Sequence, residues 1–493
     1  MIVPVALSLS ILLPAIAGVV CLVRGGGPES RKLLSSIAIA AGSVTTLLTI
    51  LVSLEVLPDG GRIVISLPSP FGVSTFSFVV DTASVVFGLI VSFVGTLIIL
   101  FSEGYVSPMN KEHPINEGYG WFYGMMLIFM ASMMGVVYSY SLITMLLFYE
   151  LTGVCSWSLI GFYFREKKSI YGAEKALFIT HLGGLFLAAS IPIVYHYTGG
   201  VTLGHLSALP PQAKAVAILF IAIACWSKSA QLPFWTWLPD AMVAPTPVSA
   251  YLHAAAMVKV GPILLFRAVQ YASPLGPKLP LVLGVMAIAT MVYGLLMYVP
   301  QIDMKRLLAY STITQLSYMF LALSFASLGV TEGLKAAVYH VWNHAYAKAL
   351  FFLTAGALAY ATGSKNLTDY SGLIEKSPLL ATSFGVAAFA ISGVPPLNCF
   401  YSKFLVFTSG FQTYALWAKV LTLIAIGESV CCFIVFLYWF IKCVLNKPSK
   451  LVSEAQDITL SMKLSLAILI IMCLASAYIL YPLLPTIGFA GGG

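Results

Sequence analysis

Glu150 and Lys228 are side chains whose chemistry does not match their surroundings. Glu150 lies inside Leu146-Leu-Phe-Tyr-Glu-Leu-Thr-Gly153, and Lys228 inside Cys225-Trp-Ser-Lys-Ser-Ala-Gln-Leu-Pro233. A carboxylate in such an apolar run is costly unless it is protonated or paired, and a buried ammonium keeps its charge only near an anion or water. Each is the natural partner of the other, and a pair that opens and closes is a proton gate. The structural alternatives are a helix-packing ion pair for Glu150 and, for Lys228, a side chain reaching to a membrane interface.

His253 and Lys259 share Tyr251-Leu-His-Ala-Ala-Ala-Met-Val-Lys-Val260. On an unbroken helix they point about 120° apart, toward different neighbours. His340, His344 and Lys348 recur at i, i+4 and i+8, which stacks them along one face over two turns. A single histidine here would be an ordinary packing residue. Histidine both accepts and donates protons near neutral pH, so three aligned titratable groups in an apolar segment are what a proton wire requires. The two histidines also have the spacing for a metal, but no Glu or Cys accompanies them as in zinc helices, and no metal is assigned. Lys403 follows Ser392-Gly-Val-Pro-Pro396, and Glu428 in Ala425-Ile-Gly-Glu-Ser-Val430 is its nearest candidate counter-charge. Lys175 and His181 are secondary candidates, while Asp303 sits where an acid favours the start of a helix.

The elements that must carry these groups follow from composition. The 493 residues are 59% hydrophobic and 9% charged, whereas a soluble domain carries roughly a quarter charged residues. Runs such as Ile2 to Val23, Leu281 to Val299 and Leu464 to Leu480 approach or exceed the about 20 apolar residues that cross a bilayer as a helix, and their continuity excludes a transmembrane β-barrel. The N-terminal run lacks a basic leader and a cleavage site, so it is expected to be a retained span. The net charge of +8 is scattered through short loops, which argues against nucleic acid and for an orientation signal. The eight cysteines have neither metal nor disulfide-framework spacing. No iron–sulfur ligand set, nucleotide loop or haem signature is present, so no cofactor is expected and any redox chemistry belongs to another protein of the complex.

The apolar runs predict an all-α polytopic membrane protein with about fourteen spans, near 2–23, 33–57, 82–102, 119–138, 141–163, 170–197, 212–231, 246–271, 279–299, 304–326, 331–361, 378–411, 414–441 and 460–484. Pro58 to Val80 reads as a β-hairpin or extended loop outside the membrane. Alternate loops hold the Lys and Arg excess (Arg24, Arg31 and Lys32, Lys111, Arg165 to Lys168, Lys305 and Arg306, Lys365 and Lys376, Lys442 to Lys450), which places both termini outside the cytoplasm. Pro233 after Lys228 and Pro395-Pro396 before Lys403 break spans seven and twelve, since proline removes a backbone donor. Freed backbone groups at that depth are tolerated where they are buried in protein or line a wet cavity. Breaks at corresponding places suggest a repeat. The expected organisation is three helices with the hairpin (1–118), a first five-helix repeat (119–275), a second (276–445) and a final helix (446–493).

Phe148-Tyr-Glu150, Lys228-Ser-Ala-Gln-Leu-Pro-Phe-Trp-Thr-Trp-Leu-Pro-Asp-Ala-Met242, Pro245-Thr-Pro-Val-Ser-Ala-Tyr-Leu-His-Ala-Ala255, Asp303-Met-Lys-Arg-Leu-Leu-Ala-Tyr-Ser-Thr-Ile-Thr-Gln-Leu316 and Ser392-Gly-Val-Pro-Pro396 closely resemble the antiporter-like subunits shared by respiratory complex I, Mrp cation/proton antiporters and membrane-bound hydrogenase-type complexes. The resemblance implies two inverted five-helix repeats with helices seven and twelve broken, and a hydrophilic axis along the membrane midplane. It implies Glu150 and Lys228 as a switchable pair, His253 and Lys259 as the central relay, His340, His344 and Lys348 as the connection outward, and Lys403 as the terminal lysine. His181-Leu-Gly-Gly184 departs from members that carry an arginine and an acid there. The absence of a long lateral helix after the last span, and the size, suit an Mrp or hydrogenase-type subunit.

The expected function is proton or sodium translocation by a subunit of a redox-driven respiratory complex in a prokaryotic inner membrane. Its partners would be iron–sulfur or hydrogenase-like peripheral subunits and small Mrp-like membrane subunits, and the chain itself would hold no redox centre. The alternatives are a subunit of an Mrp-type Na⁺/H⁺ antiporter without redox partner and a scaffold whose polar axis moves nothing.

Overall fold

Helices form where the apolar runs are long, and a few of them start at a capping side chain. A computed structural model describes residues 2–25, 27–57, 61–67 and 75–490. Its principal helices are α1 (Ile2–Arg24), α2 (Arg31–Val56), α3 (Thr82–Tyr105, with a π-helical turn over Ile90–Val94), α4 (Tyr119–Tyr138), α5 (Leu142–Ile160), α6 (Lys167–Thr198), α7 (Pro211–Lys228), α8 (Thr246–Ala254) and α9 (Val260–Ala272). There follow α10 (Lys278–Tyr298), α11 (Met304–Ala326), α12 (Thr331–Thr362), α13 (Pro378–Ser392), α14 (Asn398–Phe411), α15 (Leu416–Val444) and α16 (Leu460–Leu480). Among the described residues, eleven helical segments are long and apolar enough to cross a membrane. The other expected spans are helical too. They are α7, ending at Lys228, α12, holding His340, His344 and Lys348, and the interrupted pair α13 and α14.

Caps fix the register of several spans. Ser141 accepts from Ile143 N at 3.2 Å to start α5, and Asp303 accepts from Arg306 N at 3.1 Å to start α11, the role expected of Asp303. Gly199, Gly363 and Gly393 take φ of 70°, 85° and 84° beyond α6, α12 and α13, a conformation glycine adopts without strain. Within the expected hairpin, Ile63–Ser66 pairs antiparallel with Ser77–Val80; residues 58–60 and 68–74 lie outside the described residues.

Two of the most polar spans, α8 to α9 and α11, lie at the centre of the molecule. The most apolar stretches of α8 to α9 and of α11 are 100% buried, against 33% for α1, α6 and α15. In water this would be inverted. In lipid, apolar helices suit the periphery and polar ones are sheltered inside. The helix of α7 stops at Lys228 and resumes as a short turn at Trp237, and α13 stops at Ser392 before α14 begins at Asn398.

One expectation is corrected here. The span 246–271 is not continuous: α8 ends at Ala254, and a single 3₁₀ turn over Met257–Lys259 precedes α9. The angle between His253 and Lys259 therefore follows from this break and not from helical periodicity. Pro262, four residues after Val258, has no N–H to offer the Val258 carbonyl, and Ser229, the residue after Lys228, donates to that carbonyl at 2.8 Å instead.

Candidate functional site

Glu150 of α5 faces α6 rather than α7. Its Oε2 lies 3.0 Å from His181 Nδ1. Gly184 of α6 makes this possible, since a Cβ there would overlap the Glu150 carboxylate. Lys228 at the end of α7 donates to Thr152 Oγ1 at 3.2 Å and lies 4.4 Å from the ring centre of Tyr149. Gly153 clears its ammonium, which stands 3.2 Å from where a Cβ would be. The direct Glu150 to Lys228 contact expected from the sequence is absent. Lys228 instead meets Thr152 and Tyr149, which flank Glu150 on α5, and the carboxylate stays within electrostatic reach of the ammonium.

The Glu150 and His181 side chains retain 31% and 58% of their exposure, whereas Lys228 is fully buried. The acid therefore sits at the outer surface of the helices and the lysine inside. Lys175, also on α6, pairs with Asp240 at 2.7 Å. That tethers the short turn after the α7 break to α6.

From Lys228 the polar groups continue inward. The break after α8 delivers Lys259 to α12, where its Nζ lies 2.7 Å from His344 Nδ1. An ammonium there donates to Nδ1 and leaves the imidazole proton on Nε2. The rings of His344 and His340 are 5.9 Å apart, and His340 Nδ1 lies 2.9 Å from Ser402 Oγ. Lys403, the next residue, donates to Ser429 Oγ at 3.1 Å and Ser392 O at 3.3 Å. The second break supplies that carbonyl, so an interrupted helix solvates a buried ammonium with its own freed backbone.

Glu428 of α15 does not touch Lys403 directly but lies within electrostatic reach of it. Tyr318 stands between them. Lys403 Nζ is 4.7 Å from its ring centre, while its hydroxyl donates to Glu428 Oε2, and Tyr298 donates to Oε1 at 3.0 Å. A side arm joins the file at α11, where His253 Nδ1 is 3.0 Å from Thr312 Oγ1, and Lys348 donates to Ser311 Oγ and to Leu308 O at 3.0 Å.

Three imidazole nitrogens along this file, Nε2 of His253, His340 and His344, are buried without a protein partner. Buried polar atoms in that condition are where internal water binds. The arrangement can therefore relay protons through alternating side chains and water, with hydroxyls of Thr152, Thr312, Ser311, Ser402 and Ser429 holding the titratable groups. Sequence reasoning missed these hydroxyls and Tyr318, because serine, threonine and tyrosine are common in membrane helices and carry no charge to mark them. Asp240 did carry a charge, within Trp235-Thr-Trp-Leu-Pro-Asp240, but no partner for it could be read.

A multi-pass helical membrane protein with a buried file of lysines and histidines between two interrupted helices is the class that the fold and site define. A family model described as "NADH:quinone oxidoreductase/Mrp antiporter, TM" matches residues 139–427, and one described as "NADH-Ubiquinone oxidoreductase (complex I), chain 5 N-terminus" matches residues 71–114. The chain is 33% identical over 386 residues to a Na⁺/H⁺ antiporter protein of Alkalihalophilus pseudofirmus, covering 75% of this chain and 47% of that one. It is 33% identical over 442 residues to a Na⁺/H⁺ antiporter protein of Staphylococcus aureus strain Newman, covering 85% of this chain and 53% of that one. It thus spans about half the length of these curated relatives, each of them one component of its antiporter. The structure resembles a chain of the Mrp complex from Dietzia sp. DQ12-45-1b, with TM-score 0.85 and 27% identity over 100% of this chain and 54% of that chain. It shares its fold with a chain of the archaeal membrane-bound sulfane sulfur reductase, with TM-score 0.83 and 23% identity over 97% of this chain and 96% of that one. The chain belongs to the NADH:quinone oxidoreductase/Mrp antiporter transmembrane family.

Proposed function

We propose that this chain is an ion-translocating, antiporter-like subunit of a membrane complex, moving protons, sodium ions or both. The observation that carries the reading is the file Lys259, His344, His340, Ser402 and Lys403, linked by contacts of 2.7 and 2.9 Å and flanked by unpartnered imidazole nitrogens. Burying so many cations has no packing rationale, because apolar side chains of similar volume would stabilise the core at least as well. In this reading Glu150 and Lys228 form the switch. Moving the carboxylate toward or away from Lys228 alters the ease with which that lysine releases its proton, and His181 holds the carboxylate in the outward position seen here. Lys228, Lys259 with His253 and Lys348, the histidine pair and Lys403 then pass charge along the axis, and Glu428 receives it beside Tyr318. The chain forms two repeats, 119–275 and 276–445, after the segment 1–118 and before 446–493.

The half-exposed Glu150 and His181 support a neighbouring protein on the α5 and α6 face, since charged groups at membrane depth are rarely left to lipid. The leading form of the proposal places the chain in a redox-driven respiratory complex of a prokaryotic inner membrane, both termini outside the cytoplasm, with peripheral iron–sulfur or hydrogenase-like subunits supplying the drive. The identity to Na⁺/H⁺ antiporter proteins favours a second form, an Mrp-type antiporter with small membrane partners and no redox component. Purification from native membranes in mild detergent, with mass spectrometry and metal analysis, separates the two: iron or nickel partners support the first, and small hydrophobic partners alone support the second. In vesicles containing that complex, Lys259→Ala is expected to lower ion flux by about a hundredfold, the scale of a lost proton-transfer group. Flux at the parental rate would instead support a scaffold.

A further inference from the structure

The loop before α4 and the loop between α5 and α6 enclose an open cavity of about 700 Å³. Glu117, Glu166 and Glu174 line it against a single arginine, Arg165, and His113 stacks on Tyr163 with ring centres 4.7 Å apart. Arg165 is engaged by Glu117 at 3.1 Å and His113 lies 3.8 Å from Glu166; the three carboxylates of the lining outnumber its one arginine, and clefts of one sign concentrate the opposite ion. Tyr163 in the wall of the cavity lies within electrostatic reach of Glu112.

Beside this cavity a chain of polar groups starts at Glu112, next in sequence to His113 of its wall, and leads toward the axis. Glu112 is half-buried, and its Oε2 accepts from the Tyr105 hydroxyl at 3.0 Å. The same hydroxyl lies 3.1 Å from Thr246 Oγ1, and both Tyr105 and Thr246 are buried. Thr246, Ser249 and His253 follow at i, i+3 and i+7 on α8, which places them on one face. Ser249 Oγ and His253 Nε2 are both buried and without a protein partner, the condition in which internal water binds. His253 Nδ1 then meets Thr312, beside the Ser311 that holds Lys348. None of the groups from Glu112 to Ser249 belongs to the file described above.

We infer that Glu112, next in sequence to His113 of the cavity wall, is the carboxylate through which protons from the side of the basic loops reach His253, by way of Tyr105, Thr246 and Ser249. The inference rests on the ion-translocating reading proposed above. A proton bound by Glu112 passes to the Tyr105 oxygen as the Tyr105 hydroxyl proton moves to Thr246, and the Thr246 proton moves on through Ser249 to His253 Nε2. Each oxygen releases one proton for each it receives, and the charge appears on His253. The titratable groups facing Glu112 are Tyr105 of α3, Tyr163 after α5, Lys305 of α11 and Tyr370 after α12. Lys305 is fixed in place by Ala244 O at 2.6 Å.

The test is proton flux into vesicles containing the native complex with Glu112→Gln, Glu112→Asp, Tyr105→Phe or His253→Ala. Glu112→Gln and Tyr105→Phe are expected to slow flux about tenfold, the lower end of what a positioned proton-transfer group contributes. The deficit of Glu112→Gln should deepen as the pH rises and protons become scarce, and Glu112→Asp should recover most of the rate. Parental flux in Glu112→Gln and Tyr105→Phe, with His253→Ala inactive, overturns the route and leaves the axis standing. A uniform loss at every pH without rescue by aspartate also overturns it, since that is what a structural role gives. Parental flux in His253→Ala overturns the reading of the axis itself. Where Glu112→Gln fails to assemble, Tyr105→Phe decides alone, because it removes one hydroxyl and keeps the ring.

Discussion

The surroundings of Lys228 and of Lys403 solve one problem in opposite ways. Both lysines are buried beside an interrupted helix and lie over a tyrosine ring, at 4.4 and 4.7 Å. Near Lys228 the acid, Glu150, stands at the outer surface with His181, and a threonine holds the ammonium. Near Lys403 the acid, Glu428, is sealed inside by Tyr298 and Tyr318, and a serine and a backbone carbonyl hold the ammonium. A carboxylate at the outer surface can be moved or neutralised by a neighbouring protein. One enclosed by two tyrosines responds only to groups of its own chain. In the function proposed above, the difference would give external control to the surroundings of Lys228 and internal relay to those of Lys403.

A buried pair away from both lysines calibrates what charge burial does without transport. Arg267 of α9 is fully buried and binds Asp81, the cap of α3, at 2.6 and 2.9 Å. Burial pushes the Asp81 carboxyl up, but the Arg267 guanidinium and hydrogen bonds from Arg267 and Ser84 more than offset this and hold it below the usual carboxylate value. Asp81→Asn leaves the guanidinium unpaired and is expected to cost about 3–5 kcal/mol of stability, the largest effect predicted here. Because the folded value is depressed, the contribution of the pair is fully present above about pH 4, the ordinary aspartate range, and is lost as the pH falls below it. Thermal unfolding in detergent between neutral and acid pH checks this, and the variant should lose part of the acid dependence. Flux per folded molecule should be unchanged. A loss of flux would show that this pair also belongs to the pathway.

Lys228→Ala comes next and is expected to lower flux by about a hundredfold while unfolding stays cooperative. Flux retained in Lys228→Ala but lost in Lys403→Ala would break the comparison, because ions would then enter the second half without passing the first. The smallest effects sharpen it. Tyr298→Phe removes one of the two tyrosine donors to Glu428 and should cost about 1 kcal/mol, whereas His181→Ala, at an exposed pair, should change the stability of the isolated chain by about 0.5 kcal/mol or less. Equal costs at the two sites would mean that the outer acid is as enclosed as the inner one.

Much of this was legible in order along the chain. Lys228, His253, Lys259, His340, His344, Lys348 and Lys403 stand out as charged or titratable residues in apolar runs, and Pro233 and Pro395-Pro396 mark two of the interruptions. The third interruption, between Ala254 and Val260, was overlooked although Gly261-Pro262 follows it and Pro262 leaves the Val258 carbonyl without a helical donor; what the sequence could not show is that a hydroxyl from Ser229, 29 residues away, satisfies that carbonyl. That His181 contacts Glu150 was not legible: charge complementarity points to Lys228, while the space left by Gly184 also admits His181.

By itself, the sequence determined that the chain crosses a membrane many times and keeps its ionisable groups at depth, since the cost of placing charge in hydrocarbon is a property of each segment. Only the tertiary structure decided which group meets which. That Lys259 reaches His344, that Tyr318 separates Lys403 from Glu428 and that Tyr105 joins Glu112 to Thr246 depend on contacts of a few ångströms between helices far apart in sequence. Those contacts are set by helix breaks and by the small residues that let helices approach, and neither periodicity nor composition encodes them.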